Sequence, residues 1–327
     1  MHRRRFLKSA TVTAALAASR LRSAWAAREV LVAEPVHGMG YLPLYVAMAK
    51  GYFEDVTVNL VTIETGSGHT NAVLSGQAFA FIGGPEHNAF AKAKGAELRA
   101  VVHCVDRGNY YYCAAPAYEP KDRDWPSYFR GKTIAVGPLG GTPNSITRYF
   151  LGKWNLDPKK DVTLIETANS ATIAVVRGRQ AQIGGAIEPF ITQGVRNKVW
   201  GEPFINVPRE LGPYAYSTFN LRLDTMRKEP ELVRAFVRGM VRGLRLVYAD
   251  PAEAAAIAKR QFPTMPIEDL RSHPHGLAHV IVNQVGDRSF QSGREAQRLA
   301  LAWQRRYDAA NGRQEAHVEH AVGFIKH

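Results

Sequence analysis

Two glutamates stand at matching places in this sequence. Glu86 follows Gly83-Gly84-Pro85, and Glu188 follows Gly184-Gly185-Ala186-Ile187. Carboxylates at equivalent strand ends can accept N–H groups from a molecule lying between them. The competing role for each is to cap a helix or pair with an arginine. Three glycine-bearing loops accompany them: Gly38-Met39-Gly40-Tyr41, Gly66-Ser67-Gly68-His69 and Gly140-Gly141-Thr142-Pro143. Glycine lets backbone approach a ligand closely, Thr142 adds a hydroxyl, and Pro143 suits a first helical turn, where its missing N–H costs nothing. Loops of this kind that lead into helices favour anionic or acceptor groups through free N–H groups and the dipole's positive end. Tyr110, Tyr111 and Tyr112 alternate faces in a strand-like run, which leaves Tyr41 and Tyr111 as candidates for a stacking wall. The expected ligand contacts are Gly40, Tyr41, Ser67, Gly84, Glu86, Tyr111, Gly141, Thr142 and Glu188. No catalytic residue, metal site or cofactor is expected.

Other constellations carry less. His275 and His279 are four apart, but no third ligand follows at a persuasive spacing and Pro274 interrupts the local helix. Cys104 and Cys113 flank Gly108-Asn109; they are read as buried free thiols, with a disulfide across a two-residue hairpin as the alternative. The chain holds no Gly-x-Ser-x-Gly, P-loop or His-Glu-x-x-His sequence.

The elements that must position these residues are written twice. Residues 76–86 read Gly-Gln-Ala-Phe-Ala-Phe-Ile-Gly-Gly-Pro-Glu, and residues 178–188 read Gly-Arg-Gln-Ala-Gln-Ile-Gly-Gly-Ala-Ile-Glu. Each follows a helix-like stretch, at 70–75 and 171–177. The apolar runs 56–61 and 162–165 match as strands, and the loops at 38–43 and 140–143 match as helix openings. The order in both copies is strand, loop, helix, strand, loop, helix, strand, which predicts parallel α/β sheets covered on both faces. Further strands are expected at 29–33, 98–104, 110–115 and 133–136, with a connector at 116–128 and a return crossing at 214–221. Helical spacing runs from Leu232 to Val247, followed by helices at 252–261 and 295–310. The expected organisation is an export segment at 1–26, a discontinuous first lobe at 27–114 and 217–327, and a second lobe at 115–216.

The 327 residues suffice for two such lobes. Arg3, Arg4, Arg5, Lys8, Arg20 and Arg22 lie in the first 26 residues, which carry no acid and end in Ala24-Trp25-Ala26. A basic start, a short apolar stretch and a small-residue cleavage pattern describe a secretory signal, too short to span a bilayer. The formal charge of +13 therefore overstates the basicity of the remainder, where the two signs interleave. No zinc-finger or helix-turn-helix spacing is present, and nucleic acid is not an expected partner.

On these residues the chain resembles a known family. Pro43-Leu44-Tyr45-Val46-Ala47 with Gly51-Tyr52-Phe53, then Gly131-Lys132-Thr133-Ile134-Ala135-Val136, Leu156-Asp157-Pro158 and Glu188-Pro189-Phe190 are similar to binding proteins for nitrate, sulfonates, taurine and thiamine pyrimidine precursors. Arg3-Arg4-x-Phe6-Leu7-Lys8, with Arg5 at the x position, resembles a twin-arginine export signal. The resemblance implies a periplasmic-binding-protein-like fold of two lobes on a hinge. It also implies a monomeric periplasmic protein that delivers a small solute to the membrane permease of an ABC importer. The same likeness includes a fungal pyrimidine synthase, tied to a cysteine-rich iron motif; this chain has only two cysteines.

Overall fold

The computed structural model describes residues 28–264 except 106, 107 and 213. The expected export segment, the His275/His279 pair and the helix at 295–310 lie outside the described residues. In chain order the strands are β1 (Arg28–Glu34), β2 (Val56–Thr62), β3 (Ala80–Gly83), β4 (Leu98–Val105), β5 (Tyr110–Ala114), β6 (Thr133–Val136), β7 (Thr163–Glu166), β8 (Ile183–Ile187), β9 (Ile205–Asn206) and β10 (Ser217–Arg222). They form two five-stranded sheets, ordered β2-β1-β3-β10-β4 and β7-β6-β8-β5-β9.

The two sheets repeat one plan. In each, the strand next to the edge (β1 or β6) pairs in parallel with its two successors in sequence, as the duplicated pattern requires. Each sheet then accepts an antiparallel strand from a crossing segment, β10 against β3 and β5 against β8. This corrects the expected lobe boundary. Tyr110–Ala114 belongs to the second sheet, so the chain crosses between β4 and β5 and returns just before β10. The Gly108-Asn109 turn is therefore a crossing rather than a hairpin, and Cys104 and Cys113 are buried free thiols in different sheets. The connector at 116–128 contains a short helix from Trp125, where the Asp124 carboxylate accepts from the Ser127 N–H at 3.3 Å.

The helices after β10 return to the first sheet. Leu42–Ala49 is apolar on nearly every side because it is sandwiched. Helix Pro230–Ala249 lies against it so closely that a Cβ on Gly243 would collide with the Pro43 carbonyl. Phe236 stacks on Phe53 at 5.3 Å and meets Phe219 of β10 edge-on. No helix among the described residues is long and apolar enough to cross a membrane.

Candidate functional site

Loops at the carboxyl ends of β1, β2, β3 and β6 meet over a cleft between the sheets, where open α/β sheets gather ligands. Its empty space amounts to about 580 Å³, open solvent at the mouth included. From the first half come Gly38, Gly40, Tyr41, Glu64, Thr65, Gly66, His69, Gly83 and His87; from the second come Pro138, Gly141, Thr142, Pro143, Asn169 and Ile187. Asn109, Tyr216 and Ser217 line it from the two crossings. Among the described lining residues there is no lysine or arginine.

Thr142 opens the helix Thr142–Lys153, and its hydroxyl spans the cleft. It donates to Glu86 Oε1 at 2.6 Å and accepts from the Gly84 N–H at 3.2 Å. Ser170 makes a second bridge by donating to Glu64 Oε2 at 2.6 Å. Behind Thr142, His87 Nδ1 lies 3.0 Å from the Gly84 carbonyl and 3.5 Å from Glu86 Oε1. Burial pushes the Glu86 carboxyl up, but His87 and the Thr142 hydroxyl outweigh it and leave the pKa below its ordinary value. His69 faces His87, with their Nε2 atoms 3.2 Å apart, and burial together with the His87 ring lowers its pKa to about 3. Glu34, at the end of β1, is buried and accepts from Tyr45, Thr62 and the His37 ring.

Of the expected contacts, Gly40, Tyr41, Gly141 and Thr142 line the cleft. Gly84 and Glu86 reach it through Thr142. Three residues sit elsewhere. Ser67 is exposed and makes no cap bond at the helix it precedes. Tyr111 is fully buried in a core of Cys113, Ala135, Ala186, Ile191 and Trp200, because β5 is an inner strand with both faces covered. Glu188, 1% exposed, is turned into its own lobe, where its carboxylate accepts from the Thr192 N–H at 3.2 Å and hydroxyl at 3.1 Å. It thus takes the helix-capping alternative. Burial raises its pKa to about 8 although the Thr192 bonds pull the other way.

Sequence reasoning missed His69, His87, Asn109 and Asn169. His69 and His87 directly follow the marked Gly68 and Glu86, so adjacency was a usable signal; nothing local singles out Asn169. The glutamates also differed in sequence. Four residues beyond Glu188 stands Thr192, a partner one helical turn away, whereas four beyond Glu86 stands exposed Phe90.

Thr142→Ala removes a bridge that only the approached lobes can make. Affinity for any ligand held in the closed cleft is expected to fall roughly 5- to 50-fold, with folding stability nearly unchanged, since the hydroxyl is rehydrated when the lobes part. Calorimetry beside a urea melt checks this; equal losses in both would make Thr142 a folding residue.

Residues 39–254 match a family described as NMT1/THI5 like. YtlA of Bacillus subtilis (strain 168), named provisionally as a binding protein, is 27% identical over 225 residues. That match takes in 67% of this chain and 66% of YtlA, just under two thirds of that relative's length. The periplasmic nitrate-binding protein NrtA of Synechocystis PCC 6803 superposes with a TM-score of 0.61 at 16% identity, over 81% of this chain and 74% of that one. The alkanesulfonate-binding protein SsuA of Xanthomonas axonopodis pv. citri, solved with MOPS bound, also gives 0.61 at 16% identity, over 78% of this chain and 84% of that one. The architecture is that of periplasmic binding proteins.

Proposed function

Because the chain belongs to the NMT1/THI5-like family, we propose that it captures a small polar solute between its two lobes outside the cytoplasm and hands it to the membrane permease of an ATP-driven importer. The observation that carries this reading is the cleft itself: paired α/β lobes on two crossings, with Thr142 of one reaching Glu86 and Gly84 of the other. Such bridges form only when the lobes approach, which is how solute occupancy would be reported to a permease. The N-terminal segment serves as the export address, by a twin-arginine route, and the protein acts as a monomer. It binds without turnover.

Among solutes, an amino-substituted heteroaromatic such as a pyrimidine precursor of thiamine fits better than nitrate, taurine or an alkanesulfonate. The relatives named for nitrate and alkanesulfonate bind anions, whereas the described lining here carries Glu64 with Glu86 and Glu34 close behind. The test is native mass spectrometry of the exported protein, followed by calorimetry and small-angle scattering with the compound that co-purifies. One bound molecule per chain, released unchanged, and a smaller radius of gyration at saturation are expected. Chemical conversion of the compound would instead favour the synthase-like alternative, and an unchanged scattering profile would overturn capture by closure.

A further inference from the structure

The two cleft histidines fix each other's protons. His87 Nδ1 lies 3.0 Å from the Gly84 carbonyl, which can only accept, so Nδ1 carries a hydrogen. A neutral His87 then has a lone pair on Nε2, 3.2 Å from His69 Nε2. For that contact to be a hydrogen bond, His69 must be the Nε2–H donor, and its own proton is thereby spent. His69 Nδ1 is left as a bare acceptor. It is buried, the residue being 1% exposed, and has no partner at hydrogen-bond distance among the described residues. The Thr65 carbonyl, which can only accept, bears on the same ring and favours a proton facing it, without reaching hydrogen-bond geometry at Nδ1; the contact with His87 is what holds the proton on Nε2 instead.

A second buried acceptor faces the same cleft from the other lobe. Asn169, 6% exposed, lies in the turn that leads into helix Thr172–Arg177, the duplicate of helix Gly68–Leu74 that holds His69. Its Oδ1 is likewise without a partner. A buried acceptor left unmatched has lost its water without gaining a partner, so a solute that brings donors to these points recovers what the empty site forfeits. An oxyanion brings more acceptors and repels both.

We propose that His69 is held by His87 as the Nε2–H tautomer and presents Nδ1 to the cleft as the acceptor that selects a solute with an N–H donor, an amino-substituted heteroaromatic rather than an oxyanion. This rests on the reading of the cleft as a solute site and adds the residue that chooses among solutes. Asn169 is the matching acceptor for a second donor on the opposite side. An imidazolium at His87 would reverse the relay, place a proton on His69 Nδ1 and favour anions, so the proton's position is the deciding observable.

Long-range nitrogen–proton NMR of the full chain carrying nitrogen-15 histidine, near neutral pH, reads it directly. The expected spectrum shows His69 neutral and protonated on Nε2, with the Nδ1 resonance moving when 4-amino-2-methylpyrimidine is added. Protonation of His69 on Nδ1 in the unliganded protein overturns the proposal, whatever the protein binds. Calorimetry then compares that amine with 2,4-dimethylpyrimidine, of the same shape without N–H, and with methanesulfonate. The amine is expected to bind roughly tenfold or more tighter than either. His69→Phe should erase that preference, and His69→Asn, which can return an acceptor near the Nδ1 position, should keep most of it; thermal melts show that both variants fold. Tight methanesulfonate binding with indifference to the amine overturns the selector while leaving solute capture intact. Failure to bind any small solute counts against capture itself, and the tautomer still decides the role of His69.

Discussion

Gly66→Leu is expected to weaken solute capture by roughly 100-fold or more while leaving the folded chain as stable as before. Gly66 sits in the loop after β2, and a Cβ there would collide with the Leu139 carbonyl in the loop after β6. A backbone oxygen cannot rotate aside, so the lobes must stay apart. The residue is only half-buried and its φ is not in the left-handed region, so neither the first lobe's core nor its backbone is disturbed. A solute that binds only the closed form loses affinity in proportion to the lost closed population. Calorimetry should show the loss, and small-angle scattering should hold the radius of gyration at its open value under excess solute. Undiminished affinity would mean that these two loops do not meet in the occupied protein.

Glu188→Gln is expected to stabilise the protein at alkaline pH and to leave its affinity for solute almost unchanged. The carboxyl is buried against Thr192, and its pKa is raised from 4.5 to about 8. A raised acid means that the folded state binds the proton more tightly than the unfolded one. The favourable contribution of protonated Glu188 is complete below about 4.5 and is lost as pH rises to about 8, beyond which it stays lost. The total is on the order of a few kcal/mol. Glutamine keeps one oxygen as acceptor for the Thr192 N–H, turns its amide N–H towards the Thr192 hydroxyl, which then accepts, and carries no charge to bury. Urea melts across this range should find wild type and variant alike in acid and the variant more stable above about pH 8. Equal slopes throughout would show that Glu188 is hydrated in the folded protein.

Much of this protein was legible before any fold was seen. The duplicated Gly-Gly segments predicted two sheets of one design, and β1–β3 and β6–β8 pair in the same order. Spacing from Leu232 to Val247 predicted the long helix Pro230–Ala249. Glycine loops before apolar helices marked Gly40, Gly141 and Thr142, all of which line the cleft. These features are legible because periodicity, loop chemistry and internal repetition are local properties, set within a turn of helix or a pair of strand residues.

Tertiary structure alone decided which of the marked residues face one another. Tyr110–Ala114 joins the second sheet because β8 offers it an antiparallel partner, and no spacing within the segment announces that choice. As an inner strand it buries both faces, so Tyr111 goes to the core. Glu86 and Glu188 end equivalent segments, yet one meets Thr142 across the cleft and the other meets Thr192 on its own helix. His69 and His87, eighteen positions apart, become a dyad only when helices Gly68–Leu74 and Glu86–Ala93 flank β3. Sequence determines the elements and their duplication, because these follow from each residue's own neighbours along the chain. The proton relay and the cleft depend on contacts between remote segments, whose geometry exists only after the sheets have paired and the lobes have met.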